Sequence, residues 1–185
     1  MNSRDKELQK LDEYCSNKVV LELGSEAGIS SYRIAETAKH LTCVDAWDDS
    51  FQHVDRQQRY TYLHYLNQTK GDNLSVLDTF KKTCDKFIKS EKIKYIRGLT
   101  EEVVDSFENE SFDVVFIDAD HSLQGVRRDI KNYLPKLKTE GFLLLHDYGP
   151  LSGWPNVSIA AQELVSSKEI KLLEVINVLG IFLKL

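Results

Sequence analysis

Five residues of this chain have the types and the spacing to do chemistry: Asp118, Asp120, His121, His146 and Asp147. They close two short segments, FDVVFIDADH from Phe112 to His121 and GFLLLHDYG from Gly141 to Gly149. Carboxylates and imidazoles gathered in this way can move a proton, or can hold a divalent ion such as Mg²⁺ through hard oxygen ligands. His121 is the candidate general base, because an unperturbed imidazole titrates near neutrality. The plainer alternative makes His121 a helix cap or a partner for a backbone carbonyl, and Asp120 could likewise be an N-cap. Asp118 and Asp147 are candidates for holding an ion or positioning an acceptor. A buried strand seldom ends in a carboxylate, as at Asp118, without a ligand, a partner or a turn to serve.

Each cluster follows an uninterrupted apolar run. Such runs read as fully buried parallel strands with polar residues emerging at their carboxyl ends. In open α/β sheets that edge is where ligands bind. The rest of the chain supplies such a sheet. Leu8, Leu11 and Tyr14 or Cys15 mark one face of a first helix, and Val19–Leu23 is a strand followed by a glycine turn and a helix over about Ile29–Lys39. Leu41–Val44 is a second strand ending at Asp45, a helical pattern runs from Leu74 to Ile88, and Ile93–Arg97 is a third strand. A short helix near Thr100–Phe107 precedes the fourth strand, Val114–Ile117. The next helix carries Leu123, Val126, Ile130, Tyr133, Leu134 and Leu137 on one stripe, and Gly141 is expected to turn the chain into strand Phe142–Leu145. A helix over about Val157–Ser166 leads to strands Leu172–Ile176 and Ile181–Leu185, close enough to form only an antiparallel hairpin. The expected fold class is α/β: one mainly parallel sheet, an antiparallel edge, and helices on both faces. Residues 46–73 are long, polar and aromatic, and read either as a lid or as a solvated helix with Leu63 and Leu66 on the core.

A second feature lies at the first strand. VVLELGSEAGISS, residues 19–31, places Glu22, Gly24, Ser25 and Gly28 in a strand–turn–helix. Glycines there permit the tight turn and a close approach of backbone to ligand. Asp45, about twenty positions on and ending the next strand, suits the two hydroxyls of a ribose. A nicotinamide dinucleotide would want G-x-G-x-x-G beneath its pyrophosphate, but Glu26 stands at the middle position and no glycine follows Gly28 before Gly71. A ligand without phosphate removes that repulsion. Glu22 could orient its charged end, directly or through water, or could simply end the strand.

Size and composition set the bounds. The chain of 185 residues is expected to form one domain, burying roughly 70% of its unfolded surface. A net charge of −5 argues against a nucleic-acid surface. Cys15, Cys43 and Cys84 form no C-x-x-C pair and read as reduced core thiols, which fits the cytoplasm. The first fifteen residues are too charged for a signal peptide, and no apolar stretch approaches the ~20 residues that span a bilayer.

Taken together, these motifs resemble the class I S-adenosylmethionine-dependent methyltransferases, over nearly the whole length from about Val19 to Leu185. Within them the chain looks most like a small-molecule group whose signature is D-G-D-H-S-y-e-g-v followed by G-G-x-x-x-x-H-D-Y. Here these read Asp118-Ala119-Asp120-His121-Ser122-Leu123-Gln124-Gly125-Val126, and Glu140-Gly141 leading to His146-Asp147-Tyr148. Val44-Asp45-Ala46-Trp47 and Asn156-Val157-Ser158-Ile159-Ala160 match two further stretches of the group. Ala119, Leu123, Gln124 and Glu140 depart from its pattern, and Leu123 and Gln124 put the group's substrate contacts in doubt.

The resemblance implies a Rossmann-like, seven-stranded sheet in the order 3-2-1-4-5-7-6, with S-adenosylmethionine lying across strands one and four. Gly24, Ser25, Gly28 and Asp45 would contact that donor, as would Asp118. Ala46 would also contact the donor, Trp47 would pack beside the adenine or be ordinary lid core, and the Gly98-Leu99-Thr100 turn would meet the adenine edge. The expected reaction is O-methylation of a sugar or another small hydroxylated metabolite. Related metal-dependent enzymes place acidic ligands at the same strand ends, so Asp118, His146 and Asp147 are the candidate metal set. His146 is a softer ligand than a carboxylate, which would favour Mn²⁺, Fe²⁺ or Zn²⁺ over Mg²⁺. The expected partners are the small-molecule acceptor and a second copy of the chain covering the site, with no nucleic acid and no membrane. Two other classes stay open: a nicotinamide-dependent oxidoreductase, and a donor-fold binding module without catalysis.

Overall fold

The computed structural model describes residues 3–47 and 75–185. The lid expected over residues 46–73 falls outside them, apart from Ala46 and Trp47. In chain order the helices are α1 (Ser3–Cys15), α2 (Ile29–Thr37), α3 (Val76–Lys89), α4 (Thr100–Val103), α5 (Leu123–Tyr133) and α6 (Pro155–Ser166). The strands are β1 (Val19–Leu23), β2 (His40–Asp45), β3 (Ile93–Arg97), β4 (Phe112–Ile117), β5 (Leu137–Leu145), β6 (Ile170–Ile176) and β7 (Leu179–Lys184). They form one sheet in the order β3-β2-β1-β4-β5-β7-β6. Pairing is parallel from β3 through β5 and antiparallel for β5–β7 and β6–β7, as the sequence predicts.

Successive side chains of a strand point to opposite faces, so a strand covered on both faces must be apolar at every position. Val20, Val114 and Phe116 pack under α1, α2 and α3 with Leu11, Ile34 and Phe80. Their neighbours Leu21, Leu23, Val115 and Ile117 pack on the other face with Val126, Ile130, Val157 and Ala161 of α5 and α6. Each such fully buried side chain contributes roughly 1.5–3 kcal/mol, so the central strands are the rigid base of the molecule. Cys15, Cys43 and Cys84 are buried in the first of these layers and none is in a disulfide. No described helix is long and apolar enough to cross a membrane.

The boundary that differs most from the sequence expectation is the start of β5. Leu137 continues the apolar stripe of α5 by spacing, but Pro135 ends the helix in a 3₁₀ turn, and Leu137 opens β5 opposite Phe112. Gly141 is therefore inside the strand rather than before it. The register shifts between Phe112 and Val114, Glu140 takes φ 60, and a Cβ on Gly141 would lie 2.8 Å from Lys138 O. The bulge folds the strand against itself, which only glycine accommodates at that point.

Backbone bonds beyond the strands line up the functional edge. Gly24 N donates to Val44 O, Gly98 N to Asp45 O, Asp118 N to Leu23 O and His146 N to Ile117 O. The ends of β1 to β5 are thereby brought level. The chain leaves β1 toward β2 and β3, then crosses to β4 and β5, so the edge between β1 and β4 is a topological switch point.

Candidate active site

A cleft of about 820 Å³ opens over that edge, running from Gly98–Thr100 past Gly24–Ala27 and Asp45 to Asp118, His121 and His146. Gly24 takes φ 86, and a Cβ there would lie 2.0 Å from Asp118 O, so β1 and β4 approach too closely for any side chain. Gly28 takes φ 83 and packs against Cys84 and Phe80. Glu22 does not meet the cleft. It is fully buried, accepting bonds from the hydroxyls of Ser25, Ser30 and Ser31 and from the Cys43 thiol. Burial raises its pKa and the hydroxyl bonds oppose the rise. In place of the direct ligand contact that its position suggested, Glu22 ties the glycine turn to the first turn of α2.

Asp45 clamps the next wall. One oxygen accepts from Glu26 N at 2.9 Å and the other from Trp47 N at 2.7 Å. Trp47 is buried at φ 40, a conformation that bulky residues seldom adopt. It is held there by its indole N–H donating to Glu26 O and by Arg97, which donates to the carbonyls of Ala46 and Trp47. Its ring packs on Phe80 and Tyr95, so Trp47 is core and cleft wall together. At the far end, Thr100 donates its hydroxyl to Asp129 Oδ1 at 2.6 Å and Tyr133 donates to Thr100 O at 2.7 Å.

The acid–histidine residues converge at the other end. His121 Nε2 lies 2.9 Å from Asp147 Oδ2 and 3.5 Å from Asp118 Oδ1. His146 Nδ1 lies 3.4 Å from each of the same two oxygens. Neither ring nitrogen makes a directed hydrogen bond, although both are buried. The imidazole of His121 stacks on Trp154 with centroids 4.8 Å apart. Glu7 of α1 faces His146 Nε2 at 4.0 Å and accepts from Asn177 and from Val178 N, joining the helix to the β6–β7 hairpin.

These groups fix one another's charge. Burial alone would lower the pKa of His121, but the adjacent carboxylates of Asp118 and Asp147 outweigh it and raise it to about 9. The same two carboxylates raise His146 to about 11 against its burial. Burial would raise Asp118 and Asp147, yet the two histidines pull Asp118 well below the carboxylate range and Asp147 to about 2. The expectation that His121 rests as a neutral base near pH 7 therefore meets a correction: without another cation beside it, it is an imidazolium.

The residues expected from the sequence line or support this cleft, Asp120 among them, but Asp120 is not the N-cap that the sequence also allowed. Asp120 accepts from Ser122 N and from the Ser122 hydroxyl, while Ser122 caps α5 by accepting from Gly125 N. Glu7, Arg97, Asp129 and Trp154 were not anticipated. Of these, Asp129 left a signal, being an acid on the apolar stripe between Val126 and Tyr133.

Asp118, His121 and Asp147 each offer one ligand atom, all within 4.8 Å of one another. This set holds His121 where the sequence reading placed His146. With the His121 and His146 ring nitrogens lacking hydrogen-bond partners, the acid–histidine cluster fits a divalent ion.

A Rossmann-like sheet with a glycine turn at β1, an acid at the end of β2 and a cleft across β1 and β4 is the architecture of a nucleoside-binding enzyme. Residues 21–148 match the family model described as a methyltransferase domain, and the chain belongs to that family. It is a class I S-adenosylmethionine-dependent methyltransferase. Among curated proteins, no sequence matches it. Solved structures share the fold at low identity. A Streptococcus mutans protein, SMU.1697c, with a provisional methyltransferase description and bound SAH, is 14% identical, with 100% of this chain and 99% of that one covered at a TM-score of 0.62. A Staphylococcus aureus protein provisionally described as a caffeoyl-CoA O-methyltransferase is 18% identical, covering 98% and 81% at 0.63. A Streptococcus thermophilus protein described as an rRNA methylase is 15% identical, covering 100% and 98% at 0.62.

Proposed function

We propose that this methyltransferase acts on a hydroxyl group of a small metabolite, a sugar or another polyhydroxylated compound. The observation that carries the proposal is the convergence of Asp118, His121, His146 and Asp147 on one point beside the donor cleft. The Staphylococcus aureus structure, described as an O-methyltransferase, is in line with it, while the rRNA methylase shows that the fold alone selects no substrate.

Each Asp45 oxygen keeps a lone pair beyond its backbone bond, enough to accept from the two ribose hydroxyls. The Gly24–Gly28 turn holds the amino-acid end, with Glu22 keeping the turn in shape. The Gly98–Thr100 turn meets the adenine edge. The acceptor oxygen attacks the methyl carbon in line, the C–S bond breaks with its electron pair passing to sulfur, and the acceptor proton leaves to the cluster. Asp118 and Asp147 orient the hydroxyl, and His121 takes the proton in its neutral fraction, which the positive sulfonium of the bound donor increases by opposing a second cation beside it.

A divalent ion would be held by Asp118 and Asp147 with the imidazoles of His146 and His121. When bound, it supplies Lewis-acid stabilisation of the forming alkoxide. His121 cannot then be both ligand and base, because one lone pair serves both roles. The family assignment sets aside the nicotinamide alternative.

The test is S-adenosylhomocysteine release against a panel of hydroxylated metabolites, with and without Mg²⁺ and Mn²⁺. The proposal expects turnover with at least one hydroxyl acceptor and an O-methyl product by mass spectrometry. Turnover confined to amine or RNA acceptors would overturn it. Loss of activity in EDTA, restored by one metal, would assign His121 to that metal.

A further inference from the structure

Two acids are fully buried among the described residues, Glu22 and Asp129, and they are treated differently. Glu22 has both oxygens engaged. Asp129 has one: Oδ1 receives the Thr100 hydroxyl at 2.6 Å, while Oδ2 is buried with no hydrogen-bond partner. Both Thr100 and Asp129 belong to the cleft wall at the Gly98–Thr100 turn. Arg128 gives Asp129 little relief. Its Nε stands 3.7 Å away without forming a hydrogen bond, and its guanidinium turns to Glu101 at 3.2 Å.

If Asp129 only anchored the turn to α5, a neutral amide would do, and the bond from Tyr133 to Thr100 O already makes that connection. A carboxylate does one thing an amide cannot: ionised, it only accepts, so the Thr100 hydroxyl must spend its one proton on it. The approach of that hydroxyl to Glu101 Oε2, at 3.3 Å, is longer and again toward an acceptor. The lone pairs of Thr100 Oγ1 are left for the cleft.

We infer that Asp129 is a positioning residue for base selection: it holds the Thr100 hydroxyl as an acceptor, so that the turn selects the exocyclic amine of the donor's adenine. This rests on the assignment of Gly98–Thr100 to the adenine edge. An acceptor at that edge pairs with the amine of adenine and opposes the carbonyl that replaces it in hypoxanthine. The unpaired Oδ2 adds negative charge beneath the same turn and acts in the same sense. The exclusion is by base chemistry, and it is independent of the acceptor and of any metal.

Calorimetry on the full chain with S-adenosylhomocysteine and its deaminated analogue S-inosylhomocysteine tests the inference. The wild type is expected to bind the adenosyl compound about 10- to 100-fold more tightly. Asp129→Asn frees the hydroxyl to donate, and is expected to bring the two affinities within about 3-fold, chiefly by improving binding of the inosyl compound. Thr100→Val should weaken the adenosyl compound, and Thr100→Ser should keep the wild-type ratio, which preserves the test if Asp129→Asn does not fold. Equal weakening of both ligands in Asp129→Asn, or no discrimination by the wild type, would overturn the inference. So would Thr100→Ser and Thr100→Val behaving alike. Unchanged adenosyl binding in Thr100→Val would instead show that the adenine edge lies elsewhere, and the inference would fall with that assignment.

Discussion

At the end of the cleft proposed for the donor, Asp45 in the wall accepts backbone amides and Glu22, buried behind it, accepts hydroxyls, each bond directed. At the acid–histidine end, Asp118 and Asp147 face two imidazoles at 2.9–3.5 Å, and the ring nitrogens meet no directed partner. The contrast has a physical meaning. Directed bonds to the backbone hold a shape whatever is bound, which suits the constant half of a reaction, the donor. A knot of charges balanced against one another is held mainly by electrostatics, so a proton, an acceptor or a cation entering it can rearrange it. Asp118 joins the two halves, its backbone lying against Gly24 and its side chain against the histidines.

Removing that joint should have the largest effect. Asp118→Ala is expected to lower turnover by about 10³-fold and to weaken donor binding as well, read from initial rates and calorimetry. Full donor affinity in this variant would mean that the halves are independent. Gly24→Ala strikes the donor half through packing: its methyl group would meet Asp118 O in a left-handed backbone. Unfolding in urea should show a loss of about 2–4 kcal/mol. Asp45→Ala removes the clamp and the ribose acceptor, for roughly 10- to 100-fold in donor affinity by calorimetry. An unchanged affinity would remove Asp45 from the donor site.

The smallest effect is in pH. In metal-free protein, His121 and His146 should remain imidazolium above pH 8, and their ring-proton NMR shifts would show it. Both folded pKa values lie above the ordinary 6.5, so their contribution to stability is complete below about pH 6.5 and is lost as pH rises through about 9 and 11. Asp147 has the opposite sign: its contribution holds above the ordinary 3.8 and is lost as pH falls toward about 2. Ordinary histidine titration near 6.5 would show that the two ends of the cleft do not differ in this way.

The sheet was legible because the later parts of β4 and β5 are continuous apolar runs closed by polar residues, and β1 and the Leu41–Val44 part of β2 are apolar but for Glu22 and Thr42, as strands buried on both faces require. The Leu137 boundary was not, because a buried leucine three residues after Leu134 fits a helix stripe and a strand start equally well. Asp118, His121, His146 and Asp147 were legible as a cluster from strand ends alone. Their charge states were not, since these depend on distances between the two loops after β4 and β5 that no local spacing encodes. Glu7 and Trp154 reach the site through tertiary packing and carry no signal in their own segments. Asp129 did carry one, a carboxylate on an apolar helix face, and such a residue needs a reason to be buried.

The most direct test is Asp147→Asn, because Asp147 belongs to the charged cluster and to no donor contact. Steady-state S-adenosylhomocysteine release with a hydroxylated acceptor would be set beside calorimetric donor affinity in the same variant. The account predicts turnover reduced by about 100-fold with donor affinity within about 3-fold of wild type. Turnover unchanged, or a fall in rate matched by an equal fall in donor affinity, would contradict the assignment of the acid–histidine end to methyl transfer.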